Sequence, residues 1–411
     1  VDHWFCPQNF KDSWIWENDQ YLIPPITDCM ANYLQCGWNY TTNRPDSRNE
    51  THIYTVDFGG DQGIRYLDHG IFGYHFLHDM DRLLDTFESH GYTVRTNIFG
   101  APYDWRLNPI GIDDFYVDAK KLIEDVYEQN NQRKVTIFGY SGGGICLQYF
   151  LTKTVSQEWK DKYIDHQILV APSYGGAASA LYVLWHRQWY TGLDSDSMTN
   201  FIISLPTLYA HFPNFYVHED VTAVIGPHGE TFSYRQIRQF LYDHGKVNNS
   251  DYRKMFEYAE KTVLDVDLVD PGVDTYLIFN SALPTDHGLN FTKPASNTQQ
   301  TRSHDYDYNF FGITGKIGNT NDGDWGNATM IFDEGDEVIS KRTLYYGCNN
   351  WKSTGHTVVC HDYRLTNKSY NHGGILALPE VLQEVYENTV NDTWKMRKGN
   401  YVLEGKEINY D

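Results

Sequence analysis

The chain has 411 residues, 41% hydrophobic and 16% aromatic, enough for one large α/β domain with insertions or for two domains around a substantial core. Its 33 Lys and Arg stand against 54 Asp and Glu, a formal net charge of −21, which argues against nucleic-acid partners and against electrostatic adhesion to anionic membranes. No apolar run of about 18 residues occurs, so no segment reads as a transmembrane helix, and any membrane contact has to be hydrophobic and peripheral.

The chain opens at Val1 without an initiator methionine or a signal-like apolar segment, as expected of a protein cleaved upstream or starting further upstream. Cys6 and Cys29 bracket an aromatic loop, and Cys348 and Cys360 bracket a short one; these are the expected disulfides, with Cys36 and Cys146 left free. Further on, "DDFYVDAKKLIEDVYEQ" (113–129) predicts an amphipathic helix, "KVTIF" a buried strand and "GGICLQYFLTK" the helix after it. "HQILV" and "DTYLIF" (274–279) predict two more buried strands, and "LPEVLQEVYENTV" a last helix opened by Pro379. Between Gly176 and Pro271 the pattern turns to Trp, Tyr, Phe, His and Pro with polar breaks, which predicts an insertion over the sheet edge. Strands alternating with amphipathic helices give an α/β fold with a mostly parallel sheet covered on both faces.

Gly139-Tyr140-Ser141-Gly142-Gly143 matches G-x-S-x-G between a predicted strand and a predicted helix. A sharp turn there lifts the serine hydroxyl clear of the backbone and aims the Gly142 amide at a developing oxyanion. The bland alternative is a glycine-rich crossover turn. The order serine, acid, histidine then directs the search downstream. Asp336 in "FDEGDEVIS" is the preferred acid, with Asp333 and Asp286 as competitors and a solvated acidic turn as the commoner fate of such residues. His372 in "SYNHGGILALPE" is the preferred base, in a polar loop before the last helix, over His356 and His361 near the second disulfide. Such a site needs no metal, and neither zinc nor calcium spacing is present, so no cofactor is expected. Seven Asn-X-Ser/Thr sequons stand at Asn39, Asn49, Asn248, Asn290, Asn327, Asn367 and Asn391. Chance would give about three, so the excess favours a glycosylated protein of the secretory pathway, extracellular or in a lysosome-like compartment.

With these residues placed, the chain resembles the lecithin:cholesterol acyltransferase and lysosomal phospholipase A family over almost its whole length. The resemblance rests on "GAPYDWRLNP" (100–109), "EWKDKYID" (158–165), "ILVAPSYGGAA" (168–178), "SLPTLYAHFP", "YLIFNSALPT" and "GDEVI". It implies an α/β-hydrolase fold with a small N-terminal, disulfide-closed membrane-binding subdomain (1–31) and a first core part (32–172). A cap (173–272) with a lid near 185–203 follows, and then a second core part (273–411). It also implies that Trp16 and Tyr174 sit on the substrate side and that Tyr21, Leu22 and Ile23 form an apolar tip among lipid headgroups; the alternative is that Trp4, Trp14 and Trp16 pack on the sheet. Within "APYDWR", Asp104 and Arg106 are expected to hold the loop together.

The implied activity is a serine acyl-enzyme phospholipase and lipid O-acyltransferase, with phospholipid and lipid-alcohol substrates and peripheral membrane contact. The family carries a strand and a Pro-Gly turn with an oxyanion amide well before its first disulfide cysteine, and only five residues precede Cys6 here. The expectation is therefore an upstream piece that completes the fold, either cleaved and held as a separate N-terminal fragment or continuous with the chain further upstream, with a chain compromised by its loss as the alternative. A lipid-binding or structural glycoprotein with the same fold, and a hydrolase of water-soluble esters, are the rival readings.

Overall fold

The computed structural model describes residues 6, 26–48, 51–68, 75, 78–187, 196–292, 325–326, 328–351, 355–391, 394–395 and 399–404. The expected lipid contacts Trp16, Tyr21, Leu22 and Ile23, with Trp4 and Trp14, the sequons Asn49 and Asn327, and residues 188–195 of the expected lid lie outside them. The strands in chain order are β1 (Cys36–Asn39), β2 (Arg44–Ser47), β3 (Val135–Tyr140), β4 (Ile164–Val170), β5 (Thr222–Ile225), β6 (Thr231–Ser233), β7 (Thr275–Phe279), β8 (Leu283–Asn290), β9 (Thr329–Gly335), β10 (Thr357–Asp362) and β11 (Gly399–Glu404).

The central sheet runs β11-β10-β7-β4-β3, and every pairing in it is parallel. Its inner strands β7 and β10 are buried at every residue, which is why they read as apolar runs without alternation. Within those runs successive side chains still go to opposite faces. Ile168, Val170, Tyr276, Ile278 and Val359 pack with Val381, Leu382 and Val385 of the helix Pro379–Val390. Leu169, Leu277, Phe279, Val358 and Cys360 pack the other way, with Leu344, Cys348 and Trp351 in and beside the helix Lys341–Asn350. The two-faced cover inferred from the pattern is the one observed.

The predicted helix over 113–129 forms as Asp113–Gln129, burying Tyr116, Ala119, Ile123 and Val126 at helical spacing. Pro379 occupies the first turn of the last helix, where its missing N–H costs nothing. The chain leaves the central sheet after β4 and returns to it at β7, with the helices Ser179–His186, Asp196–Ile203, Pro206–Ala210, Ile237–Asp243 and Ser250–Ala259 in between. A second sheet, ordered β6-β5-β8-β9, joins two strands from that excursion to two that follow β7. The sequence reading placed no strands there, and it missed β10 inside the expected disulfide region. These strands carry polar residues within their runs, among them Asp286 and His287 in β8, Asp333 and Glu334 in β9 and His361 and Asp362 in β10, so only pairing with distant strands selects the extended state.

Cys6–Cys29 and Cys348–Cys360 are bonded as expected. Cys36 and Cys146 are free and buried, and burial pushes both thiols up to about 12, so neither is a nucleophile. Arg106 holds the "APYDWR" loop: its guanidinium donates to both carboxylate oxygens of Asp104 (2.9 and 2.6 Å), to the Leu34 carbonyl (2.7 Å) and to Ser47 Oγ (2.9 Å). No described helix is long and apolar enough to cross a membrane.

Candidate active site

Ser141 sits between β3 and the helix Gly142–Tyr149 with φ 49° and ψ −115°, a conformation that costs a side-chain-bearing residue energy. Several bonds hold it there. The Ser141 amide donates to the Val170 carbonyl (3.1 Å), and the Ser141 carbonyl accepts from Gly144 N (2.9 Å), Ser173 N (3.0 Å) and Ser173 Oγ (3.0 Å). Close approach dictates two glycines. A Cβ on Gly139 would meet Leu147 and the Gly143 carbonyl at 2.9 and 3.0 Å, and one on Gly144 would lie 2.5 Å from Pro172 Cβ. At Gly143, the motif's own second glycine, a Cβ would meet nothing within 4 Å. The crowded position is thus one residue past the motif's second glycine, because the helix packs on Pro172 through its third residue.

Asp336 directly follows β9, and His372 lies in the loop between β10 and the last helix. The three side chains meet. Ser141 Oγ is 2.7 Å from His372 Nε2, and His372 Nδ1 is 2.8 Å from Asp336 Oδ2. Asp336 is 1% exposed, and its Oδ1 accepts from the amides of Ile339 (2.6 Å) and Val338 (3.0 Å). A carboxylate held this way can only accept, so Nδ1 carries the imidazole proton and Nε2 presents its lone pair to the serine. The His372 amide also donates to the Asp336 carbonyl (2.8 Å), which fixes the two loops to each other.

The rivals stand elsewhere. His361 is buried against Glu384 at 2.8 Å, and His356 faces Asp270 at 4.0 Å. Asp286 is buried in β8, and Asp333 is half-exposed beside His287. Tyr174, expected on the substrate side, is a packing residue instead: it is 2% exposed, donates to the Leu344 carbonyl at 3.0 Å and lies against Trp351. Its side chain fills the layer between the central sheet and the helix Lys341–Asn350.

Sequence reasoning missed Tyr140, the variable residue of the motif. Its hydroxyl donates to the His372 carbonyl at 2.5 Å and its ring stacks near the imidazole, so β3 supports both the serine and the histidine loop. The position just before the serine was the available signal. Of the described sequons, Asn248, Asn367 and Asn391 are exposed, whereas Asn39 and Asn290 are partly buried. Among the described residues no group of three or more His, Cys, Asp or Glu is placed to hold a metal ion.

The comparisons with known proteins agree with one another. Phosphatidylcholine-sterol acyltransferase of Gallus gallus is 26% identical over 357 residues, 86% of this chain and 77% of its own length. The Homo sapiens protein of that name is 25% identical over 305 residues, covering 72% and 66% of the two chains. Lysosomal phospholipase A and acyltransferase of Bos taurus is 25% identical over 302 residues, covering 71% and 68%. The chain thus spans two thirds to three quarters of these relatives. Among solved structures, the Tle4-Tli4 complex overlays with a TM-score of 0.44 at 14% identity, over 85% of this chain and 78% of that one, too distant to argue from. A family model described as lecithin:cholesterol acyltransferase matches residues 10–188 and 191–378, and the chain belongs to that family.

Proposed function

We propose that the chain is a serine acyl-enzyme phospholipase and lipid O-acyltransferase acting on glycerophospholipid at a membrane or lipid-particle surface. The observation that carries this reading is the unbroken hydrogen-bonded line from Ser141 Oγ through His372 to Asp336, at 2.7 and 2.8 Å. The lipid substrate class is supported by family membership and by the names of the relatives.

In the first step His372 Nε2 takes the Ser141 proton while Oγ attacks an ester carbonyl of the phospholipid. The oxygen that gains charge lies toward the Gly142 amide, at the positive end of the helix Gly142–Tyr149. The carbon–oxygen bond to the lysophospholipid then breaks, and the imidazolium returns its proton to that leaving oxygen. Asp336 stabilises the imidazolium and keeps the tautomer. In the second half, water or a lipid alcohol gives its proton to His372 Nε2 and takes the acyl group, and the proton passes back to Ser141 Oγ.

In this reading Trp16, Tyr21, Leu22 and Ile23 touch lipid, and the excursion between β4 and β7 covers the acyl groove as a cap. Two disulfides and seven sequons support passage through the secretory pathway.

The test is labelling with a fluorophosphonate probe, followed by product analysis on phosphatidylcholine liposomes carrying a long-chain alcohol. Native protein is expected to label and to release lysophospholipid, fatty acid and acylated alcohol; Ser141→Ala is expected to do neither. Absence of labelling in native protein sinks the enzyme reading in favour of a lipid-binding glycoprotein. Equal turnover on a monomeric short-chain ester and on liposomes removes the surface requirement.

A further inference from the structure

Glu337 directly follows the acid of the site, and its backbone is strained. Asp336 and Ile339 close a two-residue reversal: the Asp336 amide donates to the Ile339 carbonyl (3.1 Å), and Gly335 and Ser340 pair in antiparallel fashion beside it. Glu337 is the first central residue, with φ 85°, in the left-handed region where glycine is the usual occupant of such turns. The residue is also buried, at 4% exposure. A carboxylate is costly to bury and glycine suits this turn better, so the turn alone gives no reason for a glutamate.

The reason lies across the site. Asn371 Nδ2 donates to Glu337 Oε2 at 3.0 Å. That amide is oriented by its own loop, because Asn371 Oδ1 accepts from Gly374 N at 2.7 Å and leaves Nδ2 to face the glutamate. Glu337 neighbours Asp336 and Asn371 neighbours His372, so the two loops are joined at consecutive residues. The His372 amide donates to the Asp336 carbonyl at 2.8 Å, and the side-chain pair makes a second tie one residue away. One hydrogen bond between two loops is a pivot; two at neighbouring residues remove the rotation about it. The contacts from His372 to Asp336 Oδ2 and to Ser141 Oγ, at 2.8 and 2.7 Å, are held in line as a result.

We infer that Glu337 is a positioning residue for the base: through Asn371 it locks the histidine loop to the acid loop and keeps the His372 imidazole in register with Ser141 Oγ. This rests on the acyl-enzyme reading above. A displacement of about 1 Å at a catalytic group costs up to about 10²-fold in rate. With Tyr140 still holding the His372 carbonyl, loss of the clasp is expected to cost about tenfold.

The experiment reads fluorophosphonate labelling, with the saturating rate and the half-saturating concentration taken separately, and thermal melting of each variant. Glu337→Gly suits the turn and removes the clasp. It is expected to melt within about 2 °C of native protein and to label about tenfold more slowly at saturation, with the half-saturating concentration unchanged. Glu337→Gln keeps an oxygen that accepts from Asn371 and is expected within about threefold of native. Asn371→Asp keeps the oxygen that accepts from Gly374 but sets oxygen against oxygen at Glu337, and is expected to lose about tenfold or more. Combining Glu337→Gln with Asn371→Asp reverses donor and acceptor and is expected to recover that loss. A glutamate merely tolerated in the turn predicts no loss on changing it to glycine. Native-rate labelling of Glu337→Gly, a loss in Glu337→Gln as large as in Glu337→Gly, or no recovery in the double variant overturns the clasp while leaving the acyl-enzyme reading intact. A melting temperature of Glu337→Gly far below native assigns Glu337 to the fold and overturns it likewise. Absence of labelling in native protein removes the parent reading and this role with it.

Discussion

Replacing Asp336 by asparagine changes one atom's chemistry and leaves the shape almost unaltered, which makes it a sharp probe of the proposed roles. Asp336 Oδ1 is held by two amide donors, at 2.6 and 3.0 Å, so the asparagine oxygen has to stay on that side. Its NH2 group then faces His372 Nδ1, at the position where Oδ2 now lies 2.8 Å away. Two donors cannot share a hydrogen bond, so the imidazole proton moves to Nε2 and points at Ser141 Oγ. The base has then lost the lone pair that takes the serine proton. A wrong tautomer of this kind costs about 10⁴ in turnover, which corresponds to about 5.5 kcal/mol of barrier. The assay is fluorophosphonate labelling rate and liposome turnover, with thermal melting to verify that Asp336→Asn folds cooperatively. Asp286→Asn and Asp333→Asn serve as controls and are expected within about threefold of native, since neither side chain reaches His372. A folded Asp336→Asn within tenfold of native would refute the tautomer argument and the choice of acid.

His218 is 3% exposed, and burial lowers its pKa to about 3, against about 6.5 in an unfolded chain. A depressed histidine contributes fully above the unfolded value and loses about 1.4 kcal/mol per pH unit below it. The urea stability of native protein minus that of His218→Gln should therefore fall by about 2 kcal/mol from pH 7 to pH 5; parallel curves would count against it. Arg106→Ala leaves the Asp104 carboxylate and the Leu34 carbonyl without the guanidinium and should cost about 3–5 kcal/mol in denaturant unfolding; a loss under about 1 kcal/mol would dismiss its anchoring role. Gly144→Ala drives a methyl to 2.5 Å from Pro172 and should lower both melting temperature and labelling, whereas Gly143→Ala meets open space and should leave stability unchanged or slightly raised. Equal behaviour of that pair would contradict the packing of the turn.

Much of this protein was written locally. The helix Asp113–Gln129, the strands around Ser141 and the proline-opened last helix follow from periodicity and end signals, because a few neighbouring residues decide them. The motif strings likewise carried the family, and bracketing alone supplied the two disulfides. Other features depended on residues far apart in the chain. Asp336 and His372 are separated from Ser141 by some two hundred residues, and their immediate surroundings rank them above Asp333 and His361 without placing either against the serine. Only the pairing of β9 with β8, and the placement of the loop after β10, decides which carboxylate and which imidazole arrive. The same holds for Tyr174, which only its packing against Leu344 and Trp351, far along the chain, buries. Sequence fixes local geometry through short-range sterics and hydrogen bonding. Which side chains become neighbours is settled by burial and strand pairing across the whole chain.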